Sequence, residues 1–506
     1  MVCGALIMTI EILGSRVIGP FFGASLFVWT SLITVTLVAL AAGYAAGGVL
    51  SDLKPSPAYL YGIILCSGVL TLLVPVLKGP VLKATVSWGL RTGAFASSLA
   101  LFGPALFLLG CVSPYLVRIA AREMQNIGRT VGVFYAISTV GSFIGTVLTG
   151  FVLIAHFGVN AIFTVVGTLL IALAAGYFLF FRKQIAVLVA LVLPLLFFPQ
   201  EGPVSKIMAN GTRVTKVFSK DTYYGNLKVV DYSYGDKRHR ELMIDGLIQG
   251  GMDTNNRQSV YEYSYYLEFL PYGLNPAGKN CLVIGLGAGL VPAWYEARGV
   301  RTDIVDIDPD VVDIAKSYFG FSVSGDIIVS DARYYLNRSS KRYDYIILDV
   351  FNGDTTPGHI LSLEALELVK ARLGEKGILA INLIGSLKRE NFMTVSIIRT
   401  LEKVFRNVDI YPNYSVESND ESGNITVLAY NETFKPFDRR SVAGLPVHPF
   451  ARDGVNRFLG KRYTIPAGTP GMVLTDDHNP IDFYDVALKE WVRKKILEGN
   501  DMDMLI

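Results

Sequence analysis

The sequence predicts a membrane α-helical bundle followed by an α/β domain built on an open parallel sheet. Three observations carry this. Residues 1–200 are overwhelmingly apolar, and most of the charge lies after 201. Apolar runs of about 20 residues, long enough to cross a bilayer, recur through that first part. Later in the chain, four short apolar runs each end in glycine or aspartate, which lines such groups along one rim of a parallel sheet. The whole chain is 51% hydrophobic and only 18% charged, unusual for a soluble protein of 506 residues. Its net charge of +3 gives no footprint for nucleic acid.

Candidate spans lie near 1–22, 25–50, 58–77, 93–116, 130–154 and 159–181. A seventh run, Ile185 to Pro199, is short for a span. Met1 starts almost inside the first run, so no cleavable signal peptide is expected. Gly43-x-x-x-Gly47 and Gly141-x-x-x-Gly145 suit close contact between helices in lipid. Glu11 and Arg16 are expected to neutralise each other at the membrane edge. The four cysteines, Cys3, Cys66, Cys111 and Cys281, have neither ligand nor disulfide spacing and read as buried thiols.

Beyond 200 the pattern alternates with period two. Gly225 to Asp231, a Gly235-Asp236 turn and Glu241 to Asp245 read as a β-hairpin. Asp245-Gly246-Leu247-Ile248-Gln249 follows, then a polar loop to Gln258 and a tyrosine-rich helix, Tyr261 to Leu270. Cys281 to Ile284 reads as a buried strand leading into Gly285-Leu286-Gly287-Ala288-Gly289 and a helix through Ala297. Gly285, Gly287 and Gly289 let the backbone approach a ligand, and the helix start behind them offers free N–H groups. Asp306 ends the next strand, 21 positions past Gly285, where an acid can accept both ribose hydroxyls of a nucleoside. Two further strands end at Asp331 and Asp349. A helix near 362–373, a strand at 377–382, a helix at 390–404 and a strand at 425–430 complete the order. The tail carries Thr475-Asp476-Asp477-His478-Asn479-Pro480; neighbouring residues rarely ligate one ion together, so a lid or capping role is expected there, and no metal.

From about 217 to 400 this order resembles the spermidine synthases, the aminopropyltransferases: small β-hairpin, Asp-Gly-x-x-Gln, tyrosine-rich helix, glycine loop, ribose acid, adenine-side acid and an acid-bearing loop. The whole chain resembles bacterial and archaeal proteins that fuse such a domain to a membrane region. Residues Gly43 to Lys54 and the Arg118-Arg122-Arg129 loop make that region similar to one half of a major facilitator transporter. The resemblance implies a Rossmann-like fold of the methyltransferase type and the segments 1–200, 201–250 and 251–506. It implies decarboxylated S-adenosylmethionine, or S-adenosylmethionine, as co-substrate and an amine as acceptor. Asp306 would hold the ribose, Asp331 the adenine amino group, and Gln249 the entrance to the nucleoside pocket. Tyr263, or else Tyr261, would lie on the acceptor side. Asp349 would bind the amine and take its proton, with Asp354 as second loop acid.

Two departures stand out. The family's glycine loop carries an aspartate for the aminopropyl ammonium where this chain has Ala288. Asp354 follows Asp349 by five positions, where the family has three. An S-adenosylmethionine-dependent methyltransferase on the same fold is therefore a second expectation, and a polyamine transporter or sensor a third. Six spans are half of a full transporter, so transport would need a homodimer. Loop charges do not orient the chain: Lys54, Arg118, Arg122, Arg129, Arg182 and Lys183 balance Arg16, Lys78, Lys83, Arg91, Lys206, Arg213 and Lys216. The nucleoside chemistry places the soluble part in the cytoplasm.

Overall fold

A computed structural model describes residues 1–23, 26–120, 127–196, 204–351, 357–417, 422–484 and 486–499. The chain forms two compact units. One comprises Met1–Gly202, Lys220–Asn226 and Leu497–Ile506; the other comprises Pro203–Ser219 and Leu227–Ile496.

Among the described residues of the first unit, six helices are long and apolar enough to cross a bilayer: Val2–Phe22, Phe27–Leu53, Pro57–Trp88, Gly103–Ala120, Gly128–Leu153 and Val159–Arg182. The apolar helix Ile185–Pro194 is shorter. The fourth expected span, 93–116, is two helices, Leu90–Leu101 and Gly103–Ala120. Pro104 donates no backbone hydrogen bond and is tolerated in a first turn, so Gly103-Pro104 begins a fresh helix. Both glycine pairs serve close contact. A Cβ on Gly43 would lie 2.3 Å from the Phe107 carbonyl oxygen, and one on Gly145 would lie 2.3 Å from that of Ala5. Arg16 was expected to pair with Glu11; its guanidinium donates to the Tyr223 carbonyl, within the same unit.

Next in the chain comes a five-stranded sheet in the order β1 (Val204–Ile207), β2 (Arg213–Asp221), β3 (Asn226–Tyr234), β4 (Lys237–Ile244) and β5 (Leu247–Asp253). The expected hairpin is β3–β4, running from Leu227 opposite Ile244 to Tyr234 opposite Lys237. It is part of a larger sheet because β5 continues where a polar loop was expected. Gly250 and Gly251 disfavour a strand by propensity. Their backbone nevertheless pairs with Leu242 and Glu241, and the missing side chains leave room for Ala288 and Tyr261. The tyrosine-rich helix spans Glu262–Leu274 and buries Tyr265, Tyr266, Phe269 and Leu270.

A seven-stranded sheet follows. Its strands are β6 (Asn280–Ile284), β7 (Arg301–Asp306), β8 (Ile327–Val329), β9 (Tyr343–Leu348), β10 (Leu373–Gly385), β11 (Asn407–Pro412) and β12 (Gly423–Tyr430). Their spatial order is β11-β12-β10-β9-β6-β7-β8. From β10 to β8 neighbouring strands are parallel; β12 is antiparallel to both β10 and β11. The central strands carry apolar residues on both faces because helices cover both, and Cys281–Ile284 and Ile346–Leu348 are buried throughout. The chain runs outward from β6 through β7 to β8, then crosses back to β9 on the other side of β6. The carboxyl ends of β6 and β9 therefore flank a topological switch point, where open α/β sheets bind ligands.

Candidate active site

The glycine loop leaves β6 at that switch point. Gly285, Gly287 and Gly289 have φ of 89°, 52° and 75°, a region other residues enter only with strain. Space excludes a side chain as firmly. A Cβ on Gly285 would lie 2.2 Å from the Asp349 carbonyl oxygen, and one on Gly287 2.5 Å from that of Gln249. Gly285→Ala is accordingly expected to cost about 1–3 kcal/mol in strain and to displace Asp349. Thermal unfolding together with nucleoside affinity checks this.

Asp306 closes β7 beside the loop. One carboxylate oxygen accepts the Leu286 N–H at 2.8 Å and the other accepts the Asp308 N–H at 2.9 Å. The same acid thus shapes the glycine loop and keeps lone pairs for further donors. Burial pushes its carboxyl up to about 6, against the pull of those backbone donors. Ile307, next in the chain, is 42% exposed and offers an apolar face beside the acid.

The Asp306 carbonyl accepts the Ser330 N–H at 2.9 Å, which brings Asp331 to the same rim. Asp331 caps the helix Ala332–Arg338 by accepting the Tyr334 N–H at 2.8 Å. Its second oxygen lies 3.3 Å from His359 Nε2. His359 therefore faces a site acid.

Asp349 stands at the end of β9, its N–H bonded to the Ile284 carbonyl at 2.9 Å. Asn382 Nδ2 donates to its carboxylate at 2.8 Å, and Asn424 Nδ2 in turn donates to Asn382 Oδ1 at 2.9 Å. Burial pushes the Asp349 carboxyl up to about 6, with the Asn382 bond opposing. Tyr263 donates to the Gln249 carbonyl at 3.3 Å. Burial, and then the Asp349 charge, hold its phenol far above the usual value, so it serves as a donor and not as a base. Tyr261 instead donates to Glu241.

The structure thus brings Gln249, Tyr263, Gly285, Gly287 and Asp349 together, with Asp306 bonded into the loop and Asp331 one strand further out. Gly289 packs under Phe321 at the start of the helix Leu290–Glu296. Asp354 lies outside the described residues. Asp476 binds Arg333, one oxygen 2.7 Å from Nη1. Sequence reasoning missed Asn382 and Asn424. A buried asparagine in an otherwise apolar strand, Gly377-Ile-Leu-Ala-Ile-Asn382, was the available signal.

A glycine loop, a strand-end acid beside it and a second acid across a parallel-sheet switch point are the features with which open α/β sheets hold nucleotides. Residues 247–418, which follow the apolar helices, match the spermine/spermidine synthase domain family. Part of the chain is 34% identical over 176 residues to a polyamine aminopropyltransferase of Vibrio vulnificus, covering 33% of this chain and 56% of that one. It is also 31% identical over 196 residues to an N-terminal histidine N-methyltransferase of Emericella nidulans, covering 38% of this chain and 34% of that one. This chain thus spans less than two thirds of the length of either relative. Among solved structures, a probable spermidine synthase from Corynebacterium glutamicum aligns with a TM-score of 0.41 at 17% identity, covering 59% of this chain and 95% of that one.

Proposed function

We propose that the protein is a membrane-bound transferase that moves the aminopropyl group of decarboxylated S-adenosylmethionine to an amine acceptor. The observation that carries this is Asp349: a carboxyl at the switch point, its pKa raised to about 6, oriented by Asn382 and within electrostatic reach of Tyr263. The nucleoside would lie along the rim, ribose on Asp306 and the adenine amino group on Asp331. The acceptor nitrogen attacks the aminopropyl carbon next to sulfur. The carbon–sulfur bond breaks, its electron pair goes to sulfur, and methylthioadenosine leaves. Asp349 takes the proton the amine must lose, and Tyr263 donates a hydrogen bond on the acceptor side. Bringing the two reactants together in line supplies much of the rate. Residues 1–200 are the membrane part, 201–250 the small sheet and 251–506 the transferase part, which this chemistry places in the cytoplasm.

The raised carboxyls fix the pH dependence. Both acids sit above the ordinary value of about 4, so the folded chain protonates them as pH falls through about 6. The stability these two groups contribute is fully present below about 4 and is lost as pH rises through about 6. Acidification to pH 5 should therefore slow transfer about tenfold at saturating donor, without their causing unfolding. With donor saturating, kcat should fall with one proton, from Asp349; kcat/KM for the donor should fall with two, because Asp306 must also be ionised to bind. pH–rate profiles beside circular dichroism check this.

Ala288 favours a second outcome, methyl transfer from S-adenosylmethionine. It is buried and faces Gly250, where a Cβ would meet its own at 2.9 Å. A neutral side chain there repels no donor carboxylate and holds no donor ammonium. Ala288→Asp is expected to tighten the decarboxylated donor by about 1.5–3 kcal/mol, one charged hydrogen bond, and to weaken S-adenosylmethionine. Calorimetric titration with both donors and methylthioadenosine tests the proposal in the unaltered protein. Tighter binding of the decarboxylated donor supports aminopropyl transfer; binding of S-adenosylmethionine alone supports methyl transfer.

A further inference from the structure

The tail motif takes no part in the transfer just described, yet the fold ties it to the adenine side of the site. Leu474 is its anchor, fully buried, donating its N–H to Thr400 Oγ1 at 2.9 Å and accepting the Leu363 N–H at 2.8 Å. The chain then reverses: the N–H groups of Thr475 and His478 each bond the other's carbonyl at 3.2 Å. That turn aims Asp476 at Arg333. The carboxylate receives both prongs of the guanidinium, and Nη1 also donates to the His359 carbonyl at 3.1 Å. Asn479 Nδ2 donates to the Gly358 carbonyl at 2.7 Å. Two tail side chains therefore hold the carbonyls of consecutive residues, directly or through Arg333. The held turn presents the His359 ring to Asp331 Oδ2, while Asp331 Oδ1 is fixed by the N–H of its own helix.

We propose that residues 474–479 are a clasp for the adenine edge of the site: by holding His359 against Asp331, Asp476 and Asn479 aim Asp331 at the amino group of the base. This rests on the nucleoside reading of the sheet rim. Asp476, Asn479 and His359 are positioning residues, and what they set is the choice of base. Hypoxanthine presents a carbonyl oxygen where adenine presents an amino group, so a correctly aimed carboxylate rejects it, and a loosely held one rejects it less. Arg333 and Asp476 are both partly exposed, and such a pair contributes little stability by itself. A merely structural tail would shift thermal stability and leave base choice alone.

The test uses the full chain purified in detergent, titrated calorimetrically with methylthioadenosine and methylthioinosine. Wild type should prefer the adenine nucleoside by at least about tenfold, the scale on which a site built for a hydrogen bond rejects its mismatch. Asp476→Asn, Asn479→Ala and His359→Ala should each cut that preference severalfold, mainly by weakening methylthioadenosine. Exchanging the charges, Arg333→Asp with Asp476→Arg, should restore part of what either change alone removes. An unchanged preference in Asp476→Asn and His359→Ala, in protein that still binds methylthioadenosine, overturns the clasp and leaves the nucleoside site standing. Failure of the wild type to bind either nucleoside overturns both.

Discussion

Asp349→Asn should lower amine transfer at least about a hundredfold, the usual worth of a positioned general base, while methylthioadenosine binding stays nearly unchanged. The substitution keeps size and shape. An asparagine oxygen can still accept from Asn382 Nδ2, which now donates at 2.8 Å, so the buried asparagine pair keeps its partners. What disappears is the proton acceptor. The nucleoside's own contacts are proposed at Asp306 and Asp331, on other strands, so its affinity reports folding of the site independently of chemistry. Single-turnover transfer rates beside calorimetric affinities make the comparison. Full activity in a folded Asp349→Asn protein would make Asp349 structural and send the search for the base to Asp354 or another acid.

Asp306→Ala should weaken methylthioadenosine at least tenfold. A charged acceptor contributes about 1.5–3 kcal/mol per hydrogen bond, and two ribose hydroxyls are at stake. The Leu286 and Asp308 N–H groups lose their acceptor as well, which loosens the glycine loop. Unfolding is not expected, because the raised carboxyl shows that burial already penalises the ionised acid. Asp306→Asn should fall between, keeping acceptor atoms without charge. Circular dichroism separates a folded weak binder from a collapsed one; unchanged affinity in folded Asp306→Ala would move the ribose elsewhere.

Periodicity and composition predicted the central architecture because the physics there is local. Bilayer-length runs, fully apolar central strands and strand-end acids all follow from how one segment meets its surroundings. What was missed depends on partners distant in sequence. β5 extends through Gly250 and Gly251 only because β4 lies beside it. Asn382 gains meaning from Asp349, 33 positions away, and from Asn424, 42 positions the other way. Nothing beside His359 in the sequence marks it, because the residues that hold its loop, Arg333 and Asn479, lie far from it in the chain. The choice between Tyr261 and Tyr263 likewise needed the fold: one phenol is bonded to Glu241, while the other bonds Gln249 and senses Asp349.

The most direct measurement is the product itself. The full chain, given equal decarboxylated and intact S-adenosylmethionine with a panel of amines, should yield aminopropylated amine and methylthioadenosine by mass spectrometry, and Asp349→Asn should yield neither. Methylated amine with S-adenosylhomocysteine, and no aminopropyl adduct, would contradict aminopropyl transfer and make the protein a methyltransferase.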